Sequence, residues 1–137
     1  MSIRAGRWWL TAVLCLALAG CAQSGDAAVR AVDEARSAVV VARTATRLLL
    51  DDRSTSPYTQ VVLSDALDAV AEAEQGLREA SETDRERTAL ARRVLQDAGG
   101  VVDELADVGA AGLDAASLRR LDATVQALDA ALAELSR

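Results

Sequence analysis

The sequence predicts an all-α fold, an antiparallel up-down-up-down four-helix bundle, and three observations carry that prediction. First, 30 of the 137 residues are Ala, one is Pro and none is Phe, so the aromatic and turn residues that a sheet protein needs are scarce. Second, four successive segments each carry an apolar stripe that steps 3, 4, 3, 4, 3. Third, helix start and stop signals fall between the stripes. A three-helix arrangement with a loose first helix is the rival reading.

The first twenty residues read as an address that precedes the bundle. Arg4 and Arg7 form a basic leader, and Trp8–Ala19 is a run of 12 residues in which Thr11 alone is polar. That run is too short to span a bilayer as a helix. It ends in Leu18-Ala19-Gly20-Cys21, which resembles the lipobox of bacterial lipoproteins. The resemblance covers these 21 residues only. It implies cleavage between Gly20 and Cys21 and a diacylglycerol thioether on Cys21, after which the new amino terminus can be acylated again. The residues alone also fit an ordinary signal peptide cut elsewhere, with Cys21 an incidental thiol. Arg4 and Arg7 are not adjacent, so the general secretion route is expected rather than the twin-arginine one. The expected organisation is a signal peptide at 1–20, a lipidated tether at 21–25 and a helical bundle at 26–137.

On this reading Cys15 leaves with the signal and Cys21 is consumed by lipid, so neither a disulfide nor a free thiol remains. The mature chain then carries 13 Arg against 21 acidic residues, a net charge of −8. Such a chain is repelled by nucleic acid and by anionic head groups, so the fatty acids hold it to the membrane.

The four helices are expected near 26–50, 57–81, 84–108 and 114–136. The first stripe is Val32, Ala35, Val39, Ala42, Thr46 and Leu49, and the second is Leu63, Ala66, Val70, Ala73, Leu77 and Ala80. Ser56 before Pro57 fits an N-cap followed by proline at the first helical position. The third stripe is Ala91, Val94, Ala98, Val101, Leu105 and Val108, introduced by a capping box at Thr83-Asp84-Arg85-Glu86. Gly99-Gly100 either marks a hinge or close approach within a continuous third helix, or ends that helix at Ala98. Gly109 and Gly112 fit a helix stop, and Asp114 fits the N-cap of the fourth stripe, Leu118, Leu121, Val125, Leu128, Leu132 and Leu135. Ala-rich faces let helix axes approach, with Leu from the fourth helix filling against Ala on its neighbours.

Reflecting the chain about its turns sets Arg36 against Glu72, Arg43 against Asp65, Arg92 against Glu74 and Arg87 against Glu79. The last turn sets Arg119 and Arg120 against Asp103 and Glu104. Exposed pairs are each worth about 0–1 kcal/mol, so they choose orientation rather than supply stability.

The composition excludes most chemistry that helical bundles host. His and Lys are absent, and Met1 is the single Met, so haem and Glu-x-x-His di-iron sites have no ligands and no base activates a Ser or Thr. The stripes force no carboxylate inward, and no loop has dedicated calcium spacing, so Asp103, Glu104 and Asp107 read as a solvated helix face. No metal and no cofactor beyond the covalent lipid is expected. Thr46, the one polar stripe residue, is expected to satisfy its hydroxyl on its own helix. Tyr58, the single aromatic after the signal, is a candidate partner contact or a lid on the bundle end.

The expected protein is a non-enzymatic envelope lipoprotein on the outer face of the cell membrane. There it acts as a scaffold or interaction module for another envelope protein. It resembles small helical envelope lipoproteins, yet it lacks the C-terminal Lys by which the murein type attaches to peptidoglycan. The Arg, Ala, Val and Asp usage suggests a GC-rich genome such as an actinomycete's. The alternative is a carrier whose helices part around an apolar molecule such as a lipid, which requires a cavity of about 300 Å³ or more. Self-association through a second face containing Leu67, Leu95 and Val102 is a further expectation.

Overall fold

The computed structural model describes residues 26–80 and 84–137. The expected signal and tether at 1–25, with Cys15, Gly20 and Cys21, lie outside the described residues, as does Thr83. Four helices of nearly equal length follow one another: α1 (Ala27–Leu50), α2 (Ser56–Glu79), α3 (Arg85–Val108) and α4 (Ala115–Leu135), with a single 3₁₀ turn at Ala110–Gly112. They pack against one another as a four-helix bundle. Each consecutive pair packs, and α1 also packs on α4, which closes the ring.

The start of each helix has a local chemical cause. The Asp26 carboxylate accepts from the Ala28 and Val29 N–H groups, and Asp84 accepts from Glu86 and Arg87, so each caps its helix. Asp84 therefore takes the place that the capping-box reading gave to Thr83. Asp114 and Ser117 form a reciprocal capping box: Ser117 N–H donates to Asp114 Oδ1 at 2.9 Å, and Asp114 N–H donates to Ser117 Oγ at 3.2 Å. The cap of α2 corrects the sequence reading. Thr55 caps it, accepting from Tyr58 N–H at 3.4 Å, which makes Ser56 the first helical residue and leaves Pro57 one place further in. A proline remains harmless there, because the first-turn N–H groups have no intrahelical acceptor.

The helix ends are equally local. After α1, Arg53 N–H donates to Leu48 O at 2.8 Å and Asp52 N–H to Leu49 O at 3.1 Å, a Schellman motif with Asp52 in the left-handed position at φ 55°. After α3, Gly109 takes φ 83°, a conformation open to glycine at little cost. Helix α3 runs unbroken through Gly99 and Gly100. A Cβ on Gly99 would lie 3.4 Å from Glu74 Oε1 and 3.5 Å from Val70 Cγ1, ordinary contact distances, so Gly99 faces α2 without a close approach that demands glycine.

The core explains the arrangement. Helix α1 buries only small and β-branched residues: Ala28, Ala31, Val32, Ala35, Val39, Ala42, Ala45 and Thr46. So slim a face lets α1 pack on all three other helices, including α3 across the diagonal, whereas α2 and α4 share at most a marginal contact. Larger side chains from the other helices, Leu63, Leu95, Leu121 and Leu128 among them, are fully buried around it. Thr46 Oγ1 donates to Ala42 O at 2.9 Å, the expected bond within its own helix.

The third stripe is turned from its expected phase. Ala91, Ala98 and Leu105 are buried as expected, but Leu95 and Val102 are fully buried beside them, while Val94 and Val101 are half-buried and Val108 is 61% exposed. The segment is apolar on both sides of its central Ala91-Ala98-Leu105 row, and packing on α1 as well as on α2 and α4 selects one side. Leu95 and Val102 are thus core residues and are not available to the self-association face that was expected to include them.

Candidate functional site

Three surface ion pairs lie along the closing seam of the ring. Arg36 pairs with Asp129 and Arg43 with Asp122, two turns apart on both α1 and α4, and Arg47 also reaches Asp122 at 3.9 Å. Equal steps in opposite chain directions make this an antiparallel ladder. The expected pairs of Arg36 with Glu72 and Arg43 with Asp65 do not form, because both arginines turn to α4. Arg87 pairs with Asp26 instead of Glu79, and Glu74 is held by Arg78 of its own helix, not by Arg92. Of the reflected pairs, Arg120 with Glu104 is formed.

These choices leave one seam of the bundle with a distinct character. Between α1 and α2 runs an open groove of about 230 Å³, lined by Ala38, Val41, Val62, Asp65, Ala66 and Ala69. Val41 is 55% exposed at its edge, and Val61 and Tyr58, one turn before Asp65 and Val62, are each 57% exposed. Tyr58 is therefore at the surface near the start of α2 and is not a buried lid on the bundle end. Its N–H satisfies the Thr55 cap.

Two further grooves lie between other helices. One, of about 280 Å³, separates α3 from α4 beside Val94, Val101 and Ala127; the other, of about 290 Å³, lies between α2 and α3 where Gly99 and Gly100 face Leu67 and Glu74. All three are clefts on the outside of the bundle, open to solvent. Leu67, the remaining member of the expected second face, is partly buried against the core.

The Asp114 carboxyl is held below the usual carboxylate range, first by the Ser117 N–H and then by the Ser117 hydroxyl. Asp129 raises the already high Arg36 guanidinium by hydrogen bonding and charge. Asp103, Glu104 and Asp107 are exposed on α3, and among the described residues no group of three or more His, Cys, Asp or Glu is placed to hold a metal ion. No described helix is long and apolar enough to cross a membrane.

Gln60 is a residue that sequence reasoning missed. Its Nε2 donates to Ala106 O at 3.2 Å and its Oε1 accepts from Ala110 N–H at 2.8 Å, so one side chain of α2 straps the end of α3 to the following turn. Nothing local signals it, since the partners lie 46 and 50 residues away. Val41 was equally silent, the last of three consecutive valines of which Val39 is the core residue. No protein-family model, curated protein or solved structure matches the chain.

Proposed function

We propose that this chain is a lipid-anchored, non-enzymatic helical scaffold that acts through protein contacts on the outer face of a cell membrane. The observation that carries the reading is the placement of Leu18-Ala19-Gly20-Cys21 only five residues before Asp26, the cap of α1. A diacylglycerol on Cys21 would bring that end of the bundle to the bilayer, because so short a tether cannot lift it far. The far end, with the α1–α2 turn and Tyr58, would then face away from the membrane. Among the described residues the buried polar ones are Thr46, Thr59, Ser117 and Thr124, with no carboxylate among them, which is consistent with a contact role. The grooves, each under about 300 Å³ and open, suit a surface contact better than carriage of a lipid.

The test is fractionation of cells expressing the full chain or Cys21→Ser. The wild type should remain with membranes through salt and alkaline washes and leave in detergent, and Cys21→Ser should be released. A variant that stays in the membrane fraction would sink the anchor. Lipid co-purifying stoichiometrically with the released domain would favour the carrier instead.

A further inference from the structure

We infer that the outer face of the α1–α2 seam is the docking surface, and that its occupant is a cationic amphipathic helix of a partner protein. The inference deepens the interaction reading above and rests on it.

Three of the five large apolar side chains exposed among the described residues, Val41, Tyr58 and Val61, gather along this seam. Single exposed apolar residues are ordinary, but a run of them over an apolar groove marks a contact surface. The face is also acidic. Asp68 and Glu72 continue the row of Asp65 at one and two further turns, and Glu34 lies one turn from Ala38 on α1. All four are outside the ion pairs formed among the described residues, because Arg36, Arg43 and Arg47 of α1 are committed to α4. The α1–α4 seam is thus neutralised, while Asp65, Asp68 and Glu72 keep the α2 row acidic, with Arg30 the cation one turn before Glu34 on α1.

Charge decides the occupant. A second copy docking about a two-fold axis would place Asp65, Asp68 and Glu72 against the same three residues of its mate, with like charges facing. An anionic lipid surface is repelled for the same reason. Arg or Lys side chains flanking an apolar stripe match both the groove and its rim. A helix fits better than a strand, since the seam offers ridges and grooves but no unpaired backbone edge. From Tyr58 to Glu72 the row runs about 21 Å at 1.5 Å per residue, room for roughly four turns of partner helix.

The test uses the full chain in its own envelope, with a photo-reactive amino acid placed at Val41, at Val61 or, on α4, at exposed Gln126. Cross-linked peptides are sequenced by tandem mass spectrometry. The expected adduct at 41 and 61 is a segment with apolar residues spaced three and four apart and at least two Arg or Lys. Its yield should fall about fivefold or more when Asp65→Asn, Asp68→Asn and Glu72→Gln are combined, while helicity and thermal midpoint hold. An adduct to a second copy, to lipid or to an acidic segment overturns the proposal, as does a yield indifferent to the charge removal. A protein captured at 126 alone overturns this surface while leaving the interaction reading intact. No protein adduct at any position removes both.

Discussion

Arg87 on α3 pairs with Asp26, the carboxylate that also caps α1, so two diagonal helices of the bundle are pinned together at the end where the chain enters. One carboxylate thus serves the α1 amide groups and a guanidinium from another element. Asp26→Ala should lower stability by about 1 kcal/mol through the lost cap. Arg87→Ala should cost less, since partly exposed pairs contribute about 0–1 kcal/mol. Urea unfolding of both single variants and the double variant checks this, and a non-additive double variant is the expected outcome.

The phase of α3 gives a sharper contrast. Leu95→Ala should cost about 2–5 kcal/mol because it empties a fully buried site. Val94→Ala, at a half-buried position on the α3–α4 groove, should cost less than about 1 kcal/mol. Urea midpoints measured side by side decide it. Equal losses would mean that the valine row faces the core.

That phase shows where the sequence ceased to be legible. Helix ends are written locally, in residues such as Asp26, Asp84, Gly109 and Asp114, so the eight ends read from sequence lie within about two residues of the observed ones. The stripe of α3 is ambiguous because Ala91, Ala98 and Leu105 belong equally to a row with Val94 and Val101 and to a row with Leu95 and Val102. Only the packing of α3 across the diagonal onto α1 separates the two. The ion pairs were misread for a related reason. Reflection about a turn considers neighbours in sequence, whereas Arg36 and Arg43 found acids on α4, about ninety and eighty residues away. The α1–α2 contact face is a by-product of that choice and was hidden with it.

Thr59 and Thr46 are both fully buried, yet they differ chemically. Thr46 donates to Ala42 O, whereas Thr59 Oγ1 has no hydrogen-bond partner. Thr59→Val keeps the shape and removes an orphaned hydroxyl, so it should stabilise by up to about 1 kcal/mol. Thr46→Val should change stability by less than about 0.5 kcal/mol, since the Ala42 carbonyl keeps its place in the helix. A shift of the thermal midpoint upward for Thr59→Val alone is the expected result.

The Asp114–Ser117 box sets an acid limit. Its carboxyl titrates lower in the folded than in the unfolded chain, so its contribution is present above the ordinary Asp value and fades as pH falls through the folded one. Asp114→Asn keeps an acceptor for the Ser117 N–H but cannot titrate. Between about pH 5 and about pH 2 the wild type should lose stability faster than Asp114→Asn, narrowing any gap between them. Parallel slopes would show that the cap does not titrate.

The anchor is tested most directly by the mass of the N-terminal peptide of the mature chain isolated from membranes. The account predicts a chain beginning at Cys21 and carrying a diacylglycerol on sulfur, with or without an N-acyl group. A chain that begins elsewhere, or at an unmodified Cys21, would contradict it.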